Sequence, residues 1–600
     1  MRLPTPRQPI ALLPLDDRPC NRQFPEQLAA IVGQPITMPP RDALGWFTRP
    51  GDCDAIATWL RSLTPSPRGL ATPSPVLERG QGGEDTLERG PGGKASSPSP
   101  VLERGQGGED TLERGPGGEA YSPSPVLERG QGGEDSLESG VGGEARRGGA
   151  SRLALSLDML CYGGLVASRT LGADIPTALT RLSALRELRA ARPDAIIFAF
   201  SVIMRLGRTV TSPADLEEHL LLRAYSQLLD RVERLGEADA RAELERTQQQ
   251  LDPGRLAGYI AVRRRNHAIN RAAVDLVAEG VLDYLVLCQE DAAPVGIHLP
   301  EQLALRAQIQ ERRVGDRVVI TSGADEMTMS LLARHITAEA DFSPGLAVDL
   351  AAEAGGDVVP AFESQPLRET ILDHLAICGA RPAIPAEADA VLFVHTPTGS
   401  QPDIAEAPPP GQAPTLAMQA ESVADRVAAA SAAERLCGLA DVAYCNGADP
   451  ELIAALERRN ALGGLGAFAG WNTAANTLGT VISQLCIMSA RGRMVKHDLT
   501  RSFLASRLTD DYGYQTCARR RAIAHAEEIG ANPFDLGDSR AELERFVNAE
   551  LEPLSHRYVS QVLPDSAGDA VRVGLPWGRL FEVEVELGAP SSSADPKNLR

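Results

Sequence analysis

The sequence predicts an α/β protein: several domains of mainly parallel, Rossmann-like sheets flanked by helices, interrupted by a disordered repeat. Three observations carry that expectation. Short apolar runs recur along the chain, and each stops at a polar, often acidic, cluster; strands buried on both faces read this way. Helical patterns alternate with the runs, the mark of βαβ units. At 600 residues the chain is also longer than one hydrophobic core can serve.

Taken in order, the first run is Ile10–Leu15, stopped by Asp16-Asp17-Arg18. Ile56–Leu63 reads as a short amphipathic helix. A repeat follows: Pro73-Ser74-Pro75-Val76-Leu77-Glu78-Arg79-Gly80 returns at Pro98 and Pro123, and three copies fill 73–145. Its large apolar residues are Val, Leu and one Tyr, too few to offset the entropy of ordering the segment. The repeat is therefore expected to be disordered, with its two flanks belonging to one domain. Leu153–Leu157 ends at Asp158, Pro176–Ala190 is helical, and Ala195–Val202 ends near Met204-Arg205. Ala214–Gln250 is strongly charged and reads as a two-helix hairpin, with Arg263–Glu279 as a further helix.

Tyr284–Cys288 ends at Gln289-Glu290-Asp291, and Val318–Ile320 leads through Asp325 into a helix over 326–338. Residues 340–365 and 397–414 are rich in Gly, Pro and small residues and read as loops. Val391–Val394 ends at His395, Ala417–Leu436 is helical, and Val442–Cys445 ends at Asn446-Gly447-Ala448-Asp449. Thr473–Met488 reads as a buried helix and 495–560 as charged helix. Phe581–Leu587 alternates apolar and acidic residues, the pattern of a half-exposed strand. The tail from Ser591 is expected to be disordered. These shifts divide the chain into a first α/β domain (1–72 with 146–210), the insertion (73–145), a helical arm (211–280), a second α/β domain (281–400), a third α/β portion (401–500) and a helical C-terminal region with a terminal strand (501–600).

Net charge is −20, and the repeat alone holds 14 acidic and 6 basic residues. The remaining −12 argues against a nucleic-acid partner and for small or neutral ligands, and the expected partner is a small polar molecule or sugar. No run of 18 apolar residues suggests a membrane span. Nine scattered cysteines, none spaced C-x-x-C, point to a reducing, cytoplasmic setting without disulfides or a zinc cluster. Oligomeric state is not legible.

Open α/β sheets bind ligands outside the carboxyl ends of their strands, so the polar clusters mark the candidate site. Asp16-Asp17-Arg18-Pro19-Cys20-Asn21 offers a carboxylate pair beside an arginine, able to hold a diol, a metal or a cation; an N-cap with an internal ion pair is the alternative. After Asp158, Tyr162 and Arg169 flank Gly163-Gly164, where the backbone can approach a ligand closely. Arg205 could clamp a carboxylate or phosphate, or simply face solvent.

Glu290 and Asp291, with His298 seven residues beyond, suit acid–base work or metal ligation, against a reading as solvated loop charges. Asp325 opens a helix and could be no more than its cap. Asn446 sits at a strand end. Gly470-Trp471-Asn472-Thr473-Ala474-Ala475-Asn476 places one of only four tryptophans among amide side chains. Such a face binds sugar rings through stacking and hydroxyl hydrogen bonds, unless the tryptophan is core. Neither G-x-G-x-x-G, a Walker lysine, G-x-S-x-G nor H-E-x-x-H occurs. No motif requires a cofactor, and a divalent metal stays open.

Several strings together resemble a bacterial family catalogued as domain of unknown function 4127. They are Leu13-Pro14-Leu15-Asp16-Asp17-Arg18-Pro19-Cys20-Asn21, Tyr162-Gly163-Gly164-Leu165, Gly323-Ala324-Asp325-Glu326, Asn446-Gly447-Ala448-Asp449, Gly470–Gly479 and Leu575-Pro576-Trp577-Gly578-Arg579-Leu580-Phe581-Glu582. They span nearly the whole chain apart from the repeat. The resemblance implies one coherent protein type and no particular reaction.

The leading expectation is a hydrolase using carboxyl acid–base chemistry on a carbohydrate-like substrate. A pair among Asp16, Asp17, Glu290, Asp291 and Asp325 would supply acid and base. Arg18, Asn21, Tyr162, Arg169, Arg205, His298, Asn446, Trp471, Asn472 and Asn476 would bind substrate. The alternatives are a metal-dependent hydrolase or isomerase using His298 or His395, and a non-catalytic ligand-binding protein.

Overall fold

Thirteen strands are found among the residues that the computed structural model describes, 7–63, 151–409, 411–563 and 570–588. The repeat at 73–145 and the tail from 591 lie outside those residues. Six strands form the first sheet: β1 (Ile10–Leu13), β2 (Ile36–Thr37), β3 (Arg152–Ser156), β4 (Ile196–Ile203), β5 (Tyr284–Gln289) and β6 (Val318–Ser322). Every pairing in it is parallel, in the order β2-β1-β3-β4-β5-β6. The second sheet holds β7 (Gly345–Leu350), β8 (Arg381–Pro382), β9 (Ala390–His395), β10 (Cys437–Asp441) and β11 (Ala467–Ala469), also all parallel, in the order β11-β10-β9-β7-β8. An antiparallel pair, β12 (Ala570–Gly574) and β13 (Glu584–Gly588), closes the chain.

The continuous apolar runs become central strands because both of their faces are covered. In β1, Ile10 and Leu12 join one core while Ala11 and Leu13 join another. In β9, Leu392 and Val394 share the first of those cores, whereas Val391 and Phe393 turn to a third. The shared core is filled by helices Met327–Glu339 and Ala474–Arg491. That middle layer covers one face of each sheet, and this is why Ala474–Arg491 is buried almost all round.

Several boundaries differ from the sequence reading. Strand β7 lies inside a segment read as loop, because Asp349 and flanking Gly and Pro dilute its apolar signal. Strand β10 precedes the run Val442–Cys445 instead of containing it, and Val442 and Cys445 are buried in the turn that follows. β5 pairs with β4, so the boundary between sheets falls between residues 322 and 345 and not at 280. The charged 214–250 segment is two helices, Pro213–Glu233 and Arg241–Gln250. Eight of the nine cysteines are buried and all are free. No helix among the described residues is long and apolar enough to cross a membrane.

Candidate functional site

Because both sheets are parallel, each sheet's carboxyl-end loops gather on one side, and the loops of both border a single cavity of about 470 Å³. Arg18 reaches it from the turn after β1, Arg169 from the segment after β3, Arg205 from β4, Glu290 and Asp291 from β5, and Asp325 from β6. The second sheet adds Glu363 after β7, Asn446 after β10, and Asn472 and Asn476 after β11. A third wall comes from the C-terminal region, with Arg519, Trp577, Arg579 and Phe581.

Arginine and carboxylate alternate on these walls. Arg18 is buried and grips Asp325 through two nitrogens, at 2.5 and 3.2 Å, while Asp16 accepts from it behind the wall at 2.7 Å. Asn21 bridges Asp16 and Asp325. Burial pushes the Asp16 carboxyl up to about 6 even against the charge of Arg18. Arg169 bonds Glu290 and also Thr209, at 2.7 Å, and Arg205 bonds Asp291. The second oxygen of Glu290 is buried without a partner among the described residues. Burial raises its carboxyl, opposed by Arg169 and Arg205.

Glu363, which the sequence reading left in a loop, is the carboxyl on the cavity wall whose bonds come from neutral donors. Its oxygens accept from the Ala475 amide at 2.7 Å and the Thr370 hydroxyl at 3.3 Å. Burial pushes it up to about 7. Its place is set by the start of helix Ala474–Arg491, which Thr473 caps, and by the turn before helix Leu367–Ile377. Beside it, the buried His374 ring is 2.9 Å from the Thr370 carbonyl through Nδ1 and 2.9 Å from the Glu326 carboxylate through Nε2. Two acceptors call for two N–H groups, so the ring is an imidazolium. Burial alone would lower its pKa, but the bond to Glu326 and its charge raise it to about 9. The other Glu326 oxygen takes a 2.6 Å bond from Asn476, whose own oxygen accepts from Asn472.

This buried pair makes two predictions. A histidine raised from 6.5 to about 9 stabilises the fold fully below pH 6.5 and loses that contribution as pH rises through 9. The stability gap between wild type and His374→Gln, read by urea unfolding, is therefore expected to shrink by roughly 2–3 kcal/mol between pH 6 and pH 10. A gap independent of pH would refute the imidazolium. The second concerns Gly479, where an added Cβ would lie 2.2 Å from Glu326 Cγ and 2.9 Å from the His374 ring. Gly-to-Ala in a helix interior normally stabilises by about 0.5–1 kcal/mol. Here Gly479→Ala is expected to cost about 1–3 kcal/mol through overpacking, seen as a lowered urea midpoint.

Backbone strain collects at the same place. Nine non-glycine residues among those described have positive φ, and four of them line the cavity: Phe362 (65°), Asn446 (62°), Asn472 (52°) and Trp577 (60°). Bulky Phe and Trp in this region are costly and persist where the surroundings hold them. Trp577 is held by its indole N–H on Asp17 at 2.6 Å, by stacking on Phe47, and by Arg18 and Arg579, each 4.7 Å from its ring centre.

Of the residues singled out from sequence, Arg18, Arg169, Arg205, Glu290, Asp291, Asp325, Asn446, Asn472 and Asn476 share this cavity. Asp16, Asp17, Asn21, Tyr162, His298 and Trp471 are not on its wall. Asp16 and Asp17 are occupied by Arg18 and Trp577. The Tyr162 ring lies under Arg265. The Trp471 indole bonds Thr480 at 3.2 Å and packs edge-on against Phe24, bordering only a void of about 20 Å³. His298 is fully buried at the start of helix His298–Arg312, and burial with nearby Arg263 lowers its pKa to about 3. It therefore joins neither Glu290 nor Asp291, each of which holds an arginine. His395 is likewise bonded to Asp449, at 2.9 Å. Among the described residues no group of three or more His, Cys, Asp or Glu is arranged to hold a metal ion.

Sequence reasoning missed Glu363, Arg519, Trp577, Arg579 and Phe581 as site residues. The last three lie in the string Leu575–Glu582, which entered only through the family resemblance. No curated protein and no solved structure matches the chain. The family described as "Protein of unknown function (DUF4127)" matches residues 10–70 and 144–586, the segments that build both sheets and the cavity, and the chain belongs to that family.

Proposed function

We propose that the protein is a hydrolase acting on a small, hydroxyl-rich, carbohydrate-like substrate, with Glu363 as general acid and Glu290 as general base. One observation supports this above the rest: two buried carboxyls in different surroundings border one cavity. Groups whose environments separate their protonation states are how one site performs acid and base steps at the same pH. Glu363, free of arginine and raised to about 7, keeps a proton near neutrality. Glu290, with Arg169 on one oxygen, has its other oxygen without a partner among the described residues, and in this reading that oxygen receives the water's proton. Glu363 gives its proton to the leaving oxygen as the bond breaks, and Glu290 takes one from the attacking water. Asn446, Asn472 and the part-exposed Phe581 ring suit hydroxyls and a ring.

The test is a thermal-shift panel of sugars, sugar phosphates and divalent metals, with and without chelator. A ligand at 100 times its dissociation constant stabilises by roughly 2.7 kcal/mol. A sugar-induced rise that ignores chelator supports the reading. A rise given only by a metal and erased by chelator, or no sugar response at all, overturns it.

A further inference from the structure

Pairing off the charges of the cavity leaves one arginine over. Arg18 is held by Asp16 and Asp325, Arg169 by Glu290, Arg205 by Asp291, and Arg579 by Glu582. Arg519 lines the same cavity and forms no ion pair among the described residues. Its Nε donates to the Leu580 carbonyl at 3.1 Å and one terminal nitrogen donates to Gln515 at 3.1 Å. Its other terminal nitrogen has no partner among the described residues. Arg519 and Arg579 each sit 4.8 Å from the Phe581 ring centre, so two guanidinium groups crowd one aromatic with a single carboxylate, Glu582, bonded to Arg579. Glu527, two turns further along the helix, is exposed at the rim.

The backbone gives a second, independent indication. Arg519 directly follows Leu508–Ala518, an eleven-residue stretch of π-helix. Such winding is rare and collects at functional sites. Here it carries Gln515 and presents Arg519 to the cavity.

We propose that Arg519, beside Arg579, binds an anionic group of the substrate, a carboxylate or a phosphate, which makes the substrate an acidic sugar. A planar guanidinium with free N–H groups suits either oxyanion. This deepens the acid–base reading and rests on it for the reacting end: the anion anchors one end of the substrate, and Glu363 with Glu290 acts on another.

The experiment is calorimetric titration of the full chain, at low salt, with acetate, inorganic phosphate, glucose, glucuronate and glucose 6-phosphate. The same titrations are run on Arg519→Gln, on Arg519→Lys, which keeps a charge, and on Arg520→Gln, which alters an exposed neighbour outside the cavity. The expected result is that the acidic ligands bind wild type and R520Q alike, bind R519Q at least tenfold more weakly, and bind R519K in between. Preference for glucuronate identifies a carboxylate, and preference for glucose 6-phosphate a phosphate. Glucose binding as tightly as both acidic sugars, with R519Q unchanged, overturns the anion site and leaves the acid–base reading standing. Arg519-dependent binding of acetate or phosphate, with no sugar bound, keeps the anion site and overturns the hydrolase. No anion binding by wild type overturns the proposal outright.

Discussion

Arg18→Met is expected to lower stability by roughly 3–5 kcal/mol, the range for removing one member of a buried charge network. Arg18 is 4% exposed and joins Asp16, Asp325 and the Trp577 face. Methionine fills much of its stem volume but leaves two buried carboxylates without their cation. The loss should appear as a lower urea midpoint with little change in slope. It should also depend on pH. Without Arg18 the folded-state pKa of Asp16 rises beyond its present value of about 6, while its unfolded value is common to both proteins. The part of the deficit that comes from Asp16 therefore vanishes below about pH 6 and grows as pH rises through that value. Arg22→Met is the control: Arg22 meets the partly exposed Glu26 at 3.2 Å, and such pairs contribute under about 1 kcal/mol. Equal losses in the two variants would refute the account of Arg18 as the cation that neutralises the first sheet's carboxyl ends.

Glu363→Gln is expected to lower kcat by roughly 10²- to 10⁴-fold on any substrate found by the ligand panel, the usual contribution of a general acid. The fold should survive. The amide oxygen still accepts from Ala475, and the Thr370 hydroxyl can turn from donor to acceptor. Wild-type kcat should fall as pH rises through about 7, where Glu363 loses its proton, and that limb should be absent from the variant. Stability supplies a readout that needs no substrate. A carboxyl raised from 4.5 to about 7 favours the fold fully below pH 4.5, and that contribution is lost as pH rises through 7. Glutamine cannot ionise, so the variant should gain on wild type between pH 5 and pH 8. A variant with full activity, or one whose stability tracks wild type across that range, would sink the assignment of Glu363.

The part of the site on the first sheet is legible because each piece is local. Asp16 to Asn21, Arg205, Glu290 and Asp325 stand within a few residues of an apolar run, and strand ends in a parallel sheet share a side. Glu363 is not legible. It stands thirteen residues beyond β7, a strand whose pattern is diluted by Asp349, and its bond to the Ala475 amide comes from a helix 112 residues away. Trp471 and Trp577 show the same limit. Trp471 sits among asparagines, yet its indole turns to Phe24 and Thr480 in the core. Trp577 lies in a short turn, and contacts with Asp17, 560 residues away, and with Phe47 and Arg18 put it on the cavity wall.

By itself the sequence determined the class of fold, five of the first sheet's six strands, the family resemblance and the side of that sheet on which the candidate cavity lies. All of these follow from hydrophobic period and local turn chemistry, which act over a few residues. Tertiary structure alone decided that two sheets share one helical layer, that their carboxyl ends meet at one cavity, and which carboxyls there are held by arginine. Those outcomes depend on desolvation and charge pairing between segments hundreds of residues apart, and no local pattern encodes them.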